Sequence, residues 1–245
     1  MRRTIIVPMT ALTAKDFFNL DSFDHRSLWE TDEPVWMALH RTNDYFQKRN
    51  LFSIEIDIPA SVHLENVEQI AIGEGVVLEP GVYIQGPCIL GDGCVIRHGA
   101  YLRGGVICGK GCVVGHGSEI KQAILLNQTQ VAHLAYVGDS ILGNRVNLGA
   151  GVKCANLRLD RREVSISFEG SKLRTGLKKF GCVIGDGSQI GCNVVVNPGT
   201  LIGPECASYP LINLHGVIPA RTRIKGKSAE LDLAPLETAI LEWLR

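Results

Sequence analysis

Four side chains with chemistry to offer share one interval. Arg103 and Lys121 are eighteen residues apart, and so are His98 and His116. If eighteen residues bring the chain back to the same place, the two cations stand side by side and repel unless they share an anion. Phosphate suits them, because Arg grips it with two parallel hydrogen bonds and Lys adds a point charge; a pair of solvated surface cations is the plain alternative. Two neighbouring imidazoles suggest a metal pair, but a zinc site needs a third ligand. His133 follows His116 by seventeen residues and misses that column. His98 and His116 therefore read as surface or interface histidines, and no metal is expected. His133, in the run VAHLAYVGD, lies twelve residues beyond Lys121. It is a candidate base for a substrate whose phosphate Arg103 and Lys121 hold, since imidazole takes up protons near neutral pH.

A repeat must position these groups. Ile72, Leu78, Ile84, Leu90, Ile96, Leu102, Cys108, Val114 and Ile120 follow one another every six positions. Neither a helix, with period 3.6, nor a plain strand, with period 2, gives that beat. A coil of three six-residue faces does, with one residue per face pointing inward and Gly at many corners, where positive φ costs it little. Hexapeptide repeats of this kind form parallel β-helices, and the aliphatic-Gly form resembles the left-handed one. Eighteen residues then make one coil, which is why the interval above matters. The expected fold class is all-β, a left-handed parallel β-helix with a small N-terminal α/β cap and a C-terminal helix.

Residues 1–66 lack the beat. EPVWMALHRTNDYFQKR (33–49) has helical spacing, and the segment is expected to close the open end of the solenoid, which otherwise exposes core and strand edges. The β-helix is expected over 67–227. Its phase slips after residue 123 and resumes at Val137, Leu142, Leu148 and Cys154; the five-residue step between the first two marks an irregular coil of the kind where functional residues gather. Residues 157–181 drop the beat, and EVSISF suggests a hairpin leaving the coil, rich in Arg and Lys. That excursion reads either as a solvated loop or as an arm over a neighbouring subunit. The beat returns at Ile184, Ile190, Val196 and Ile202. An apolar stripe of Leu233, Leu236, Ile240 and Leu244 predicts a helix over 228–245.

The 245 residues carry 25 basic and 25 acidic side chains. That balance argues against nucleic acid as a partner, because polyanion binding needs a basic surplus, and against an anionic membrane surface. No apolar run reaches the length of a membrane span, and the start is too interrupted for a signal peptide, so a cytoplasmic location is expected. Six of the eight cysteines fall in repeat slots otherwise filled by small or aliphatic residues. They read as packing residues in a reducing compartment, without disulfides.

The run HLAYVGDSILGNRVNLGAGVKCANLRLD (133–160) resembles the acetyltransferase domain of the bifunctional N-acetylglucosamine-1-phosphate uridyltransferase/glucosamine-1-phosphate N-acetyltransferases. The landmarks that carry the resemblance are His133, Tyr136, Gly138, Asp139, Gly143, Asn147, Gly149, Ala150, Gly151 and Asn156, with Arg103 and Lys121 upstream; it covers roughly 67–220. It implies an acyltransferase moving acetyl from acetyl-CoA to the 2-amine of a hexosamine 1-phosphate, acting as a homotrimer without a metal. His133 would be the general base. Asn156 would lie near the amine and the thioester. Arg103, Lys121 and Tyr136 would hold the sugar phosphate, Asn147 the sugar, and the backbone around Ala150 and Cys192 acetyl-CoA. The family usually has Tyr after the second Asn, where this chain has Leu157. No Gly-rich nucleotide-binding start occurs in residues 1–66, so no pyrophosphorylase activity is expected. A non-catalytic sugar-phosphate-binding scaffold is the main alternative, and a metal-dependent hydratase using His98 and His116 a weaker one.

Overall fold

A computed structural model describes residues 12–48 and 53–226. The expected helix over 228–245 lies outside the described residues. The chain winds into a left-handed parallel β-helix with three sheets along its length, of nine, eight and eight strands among the described residues. One sheet runs from Ser53–Ile54 to Val217–Ile218, a second from Val77–Leu78 to Arg223–Ile224, and a third from His63–Glu65 to Asn213–Leu214. We refer to them as the covered, flat and site faces. The hexad residues point inward and form one continuous core, from Ile70 and Ile72 to Cys206 and Leu214. Alternation along each short strand sends the neighbouring residue outward. No helix among the described residues is long and apolar enough to cross a membrane.

The stack starts earlier than the hexads indicate. Ser53 and Ile54 already pair with Ala71 and Ile72, and His63–Glu65 pairs with Tyr83–Gln85. Polar outward residues in these first strands mask the beat.

The apparent slip after residue 123 is a shortened corner. Inward residues continue through Leu125 and Val131 to Val137. Between the site and covered faces, Gly104 and Gly105 form a corner with two positive φ values, whereas the next two coils turn on a single left-handed residue, Gln122 and then Asp139, each with φ 47°. Each of these coils is thus one residue shorter. The stack stays in register: Glu119 pairs with Tyr136, Ala123 with Val106, and His116 directly with His133. His133 therefore belongs to the histidine column that residue counting excludes it from.

Residues 12–48 do not close the open end. They lie along the covered face, whose outward positions are Ile89, Ile107, Ile124, Ile141, Val183 and Leu201. Phe17, Phe23, Leu28 and Trp36 pack onto these residues, and helix α1 (Met37–Gln47) follows. The physical reason is the apolar outward row: left bare, it would expose a large contiguous patch to water. Polar side chains at the corner beside it fix the segment. Asn19 N–H donates to Asp186 at 2.8 Å, Asn144 donates to the Asn19 carbonyl at 2.8 Å, and Asn127 donates to the Ser22 carbonyl at 3.0 Å.

The excursion forms an antiparallel hairpin, Ser165–Phe168 with Ser171–Arg174. It folds back over the same covered face. Val164, Ile166 and Phe180 join that cluster, the Phe180 ring lies 6.3 Å from Trp36, and His40 donates from Nε2 to the Thr175 carbonyl at 2.8 Å. Two of its cations are spent internally, Arg158 on Asp160 at 2.7 Å and Arg174 on Glu163 at 2.6 Å. It is thus packed on its own chain and is not a free loop. Seven cysteines are buried, Cys192 is exposed, and all eight are free thiols. Burial pushes the Cys88 thiol far above its ordinary range, which keeps it protonated and inert.

Candidate active site

The site face carries two outward lanes. One reads His63, Tyr83, Tyr101, Glu119, Tyr136 and Lys153 from coil to coil. The second, two residues further along each strand, reads Glu65, Gln85, Arg103, Lys121 and Gly138. Arg103 and Lys121 thus stand in one column, as their interval predicts. Their mutual repulsion is answered by the chain itself. Arg103 Nη1 lies 2.5 Å from Glu119, and Lys121 Nζ lies 3.1 Å from Asp139. The two pairs differ in access: Arg103 keeps 41% of its side chain exposed, whereas Lys121 and Asp139 keep 19% and 15%. Both cations are paired, but Arg103 is the more open to a ligand.

Asp139 is the centre of the cluster, and it holds this place because the shortened corner turns on it. Besides Lys121 it accepts a short hydrogen bond from Asn156 Nδ2. The same Nδ2 donates to the Tyr136 hydroxyl at 3.2 Å. Both amide hydrogens of Asn156 are then engaged, so the carbonyl Oδ1 is what this residue offers a ligand. A side chain at Gly138 would meet Asn156 Nδ2 and the Tyr136 hydroxyl, each at 2.6 Å. Only glycine lets these two groups close over the strand. Burial first, and then the Asp139 and Glu119 carboxylates, raise the Tyr136 phenol above its ordinary pKa. It therefore stays a neutral hydroxyl whose proton is available to an acceptor.

His133 ends the strand Gln130–His133 at the corner between the flat and site faces. Leu134, with φ 50°, turns the chain, and Tyr136 opens the next strand on the site face. Backbone hydrogen bonds join the residues of this corner from coil to coil. His116 accepts from Leu134 at 2.8 Å, His133 from Gly151 at 3.1 Å, Ala150 from Asn193 at 2.8 Å, and Cys192 from Leu211 at 3.0 Å. His133, Ala150 and Cys192 thus line one edge, bordering the face that bears Tyr136, Asn156, Lys121 and Arg103. Asn147 does not join them. It opens the strand Asn147–Leu148 on the flat face, between Gln130 and Gln189. Lower on the same corner the His98 and His116 rings stack 5.5 Å apart and 8° from parallel. The Nδ1 of each is hydrogen-bonded to a carbonyl of the coil below. No group of three or more His, Cys, Asp or Glu residues among those described is placed to hold a metal ion.

Three residues escape the reading of spacing alone. Asp139 is a motif landmark whose partners become visible only when coils stack. Glu119 neutralises Arg103 from the next coil. Lys153 donates to the Leu134 and Gly151 carbonyls at 2.8 and 3.0 Å, tying down the corner that bears His133 and Ala150. Glu119 sits two residues before Lys121, the one signal that outward positions of this face alternate in charge.

Comparison with known proteins matches residues 84–175 to the family model described as the GMPPB C-terminal domain. A bifunctional sugar-1-phosphate nucleotidylyltransferase/acetyltransferase of Sulfurisphaera tokodaii is 32% identical over 206 residues, covering 81% of this chain and 51% of the relative. The chain spans about half the length of that relative, and the bifunctional protein GlmU of Methanococcus vannielii, 41% identical over 83 residues, is covered over 20% of its length. The uncharacterized acetyltransferase YaiX of Escherichia coli is 32% identical over 195 residues, which make up 79% of this chain and 85% of YaiX. Among solved structures, a UDP-N-acetylglucosamine acyltransferase of Bacteroides fragilis aligns over 68% of this chain and 70% of its own, with 14% identity and a TM-score of 0.43. Coil architecture, landmark residues and the acetyltransferase YaiX, matched over 85% of its length, agree: the chain belongs to the left-handed β-helix, hexapeptide-repeat family of acyltransferases related to GlmU.

Proposed function

We propose that this acyltransferase uses acetyl-CoA and acetylates the 2-amine of a hexosamine 1-phosphate. The observation that carries the reading is the juxtaposition of His133, at the corner, with the Tyr136–Asn156–Asp139–Lys121 cluster on the adjoining face. An ammonium has no lone pair with which to attack, so a base must take its proton first. His133 is exposed at that corner and does this. The neutral amine then adds to the thioester carbonyl, the new C–N bond forms, and collapse of the tetrahedral intermediate breaks the C–S bond. The proton held by His133 passes to the departing CoA sulfur, and the nitrogen, which keeps one extra proton after addition, loses it to solvent to leave the neutral amide. Asn156 Oδ1 accepts from the amine and keeps its lone pair aimed at the thioester, and the Tyr136 hydroxyl and the Arg103 guanidinium bind the sugar phosphate. Lys121, neutralised by Asp139, contributes more to holding the cluster than to the anion. The corner backbone at Ala150 and Cys192 receives acetyl-CoA. Asn147, on the flat face, reaches a sugar only across a subunit boundary, which fits a homotrimer with sites between subunits. A cytoplasmic, metal-independent enzyme completes the reading.

The test is thiol release from acetyl-CoA with glucosamine 1-phosphate and galactosamine 1-phosphate, for wild type and His133→Ala. Turnover with one acceptor, abolished in the variant, is expected. Absence of release with both acceptors would favour a non-catalytic sugar-phosphate-binding scaffold, a reading to which the internal pairing of both cations and Leu157 also point.

A further inference from the structure

The strands of the site face carry three Lys and Arg side chains among the described residues, and they differ in how their charge is met. Arg103 is paired with Glu119 and Lys121 with Asp139. Lys153 opens the strand Lys153–Cys154 in register with Tyr136, and it has no carboxylate partner among the described residues. Two backbone carbonyls hold its Nζ instead, Leu134 at 2.8 Å and Gly151 at 3.0 Å. These two residues follow His133 and Ala150 in the chain and turn the corners of consecutive coils. Gly151 N–H in turn donates to the His133 carbonyl at 3.1 Å. An ammonium has three hydrogens to donate. Carbonyls take two of them and carry no net charge, so the positive charge stays uncompensated and one N–H is left over on an exposed side chain. The corner itself does not need this tie. Gly81, Gly99 and Gly117 turn the same edge with positive φ, and the next strands begin their outward lane with Tyr83, Tyr101 and Glu119.

We infer that Lys153 is a catalytic residue of the transfer, the donor that meets the thioester oxygen as it becomes an oxyanion. This deepens the proposed reaction and rests on it for the placing of acetyl-CoA at the corner. Position selects this anion. The strand of Arg103 lies three spacings from that of Lys153, about 14 Å, so a phosphate held by Arg103 is out of reach of Lys153. The developing charge is not. The amine loses its proton at His133, acetyl-CoA meets the backbone at Ala150, and Nζ is fixed between the residues that follow these two. As the nitrogen attacks, the carbonyl π pair moves onto oxygen. The third N–H of Lys153 donates to that oxygen, and the proton stays on Lys153 throughout. When the pair returns to reform the carbonyl, the C–S bond breaks. Because the two backbone carbonyls hold Nζ beforehand, the donor needs no reorganisation at the moment of reaction.

Spectroscopy and turnover test this separately. Isotope-edited infrared spectra are recorded for carbonyl-labelled acetyl-CoA bound to the full chain, with no acceptor present. In wild type the thioester carbonyl stretch is expected to fall below that of free acetyl-CoA. Lys153→Met should abolish the shift and Lys153→Arg retain part of it. In the thiol-release assay Lys153→Met should lower kcat by about 100- to 1,000-fold, the weight of one oxyanion donor, with both KM values and the melting temperature unchanged, and Lys153→Arg should restore part of the rate. An unshifted carbonyl in wild type, or a shift that survives in Lys153→Met, overturns the assignment. So does a loss in Lys153→Met that falls on KM for acetyl-CoA, on KM for the acceptor or on the melting temperature, since these mark a donor contact, an acceptor contact and a brace of the corner. If the Lys153-dependent shift holds while neither hexosamine 1-phosphate is acetylated, the acceptor reading fails and the Lys153 contact stands. If acetylation proceeds without that shift, the reverse is true. A chain that binds no acetyl-CoA removes both.

Discussion

The covered face and the site face are made of the same coils, and inside the solenoid they are interchangeable. What separates them is one outward residue per strand. Ile107 on the covered face is 0% exposed; Tyr101 on the site face, one strand before it in the chain, is 38% exposed. Isoleucine after isoleucine recruits residues 12–48 and the excursion as a coat. A lane of rings and charges is left bare, and there the chain keeps groups that bind and react. In a solenoid, then, fold resides in inward positions, while the outward ones decide which side is structure and which is function.

Four variants probe that contrast, ordered by the size of the expected effect. His133→Ala is expected to lower kcat by about 100- to 10,000-fold, the contribution of a positioned general base, with the melting temperature unchanged; a loss of stability of similar weight would place His133 among the structural residues. Trp36→Ala, on the coat, should do the opposite, costing about 3–5 kcal/mol in denaturant unfolding while KM for the acceptor holds in the folded fraction. Asp139→Asn removes the charge that neutralises Lys121 and half the restraint on Asn156, at a cost of about 1–3 kcal/mol. Because it sits on the site face it should also lower kcat, and a variant that is less stable yet fully active would show the cluster to be only a brace. Arg221→Ala breaks an exposed pair with Glu205 at 2.8 Å and should change stability by less than about 1 kcal/mol, setting the baseline for an outward residue that neither recruits the coat nor faces a ligand.

Much of this was readable in the chain. The inward hexads from Ile72 to Ile120 dictate a coil whatever surrounds them, and the eighteen-residue interval does place Arg103 below Lys121 and His98 below His116. The row that the coat covers is also in the sequence, although the expectation of an end cap over residues 1–66 made no use of it. Ile89 and Ile107 precede an inward residue eighteen positions apart, and Ile124 and Ile141 continue the row at seventeen, a second apolar period that forbids a bare face. The site was less legible for a specific reason. Where Gln122 and Asp139 shorten the corner, the count falls from eighteen to seventeen. A five-residue step in a sequence looks the same whether a coil breaks or merely tightens, and taking it as a break separated His133 from His116.

The sequence by itself determined the solenoid, the buried cysteines and the segment where reactive residues gather, because those follow from period and from which side chains avoid water. Only the tertiary structure decided that Asp139 binds Lys121 and Asn156, that Glu119 neutralises Arg103, that Asn147 faces away from the cluster, and that residues 12–48 lie along a side. Each of these depends on contacts between coils or between distant segments. Such contacts form at distances of a few ångströms, and the length of a corner decides which residues meet there while the stack itself stays in register.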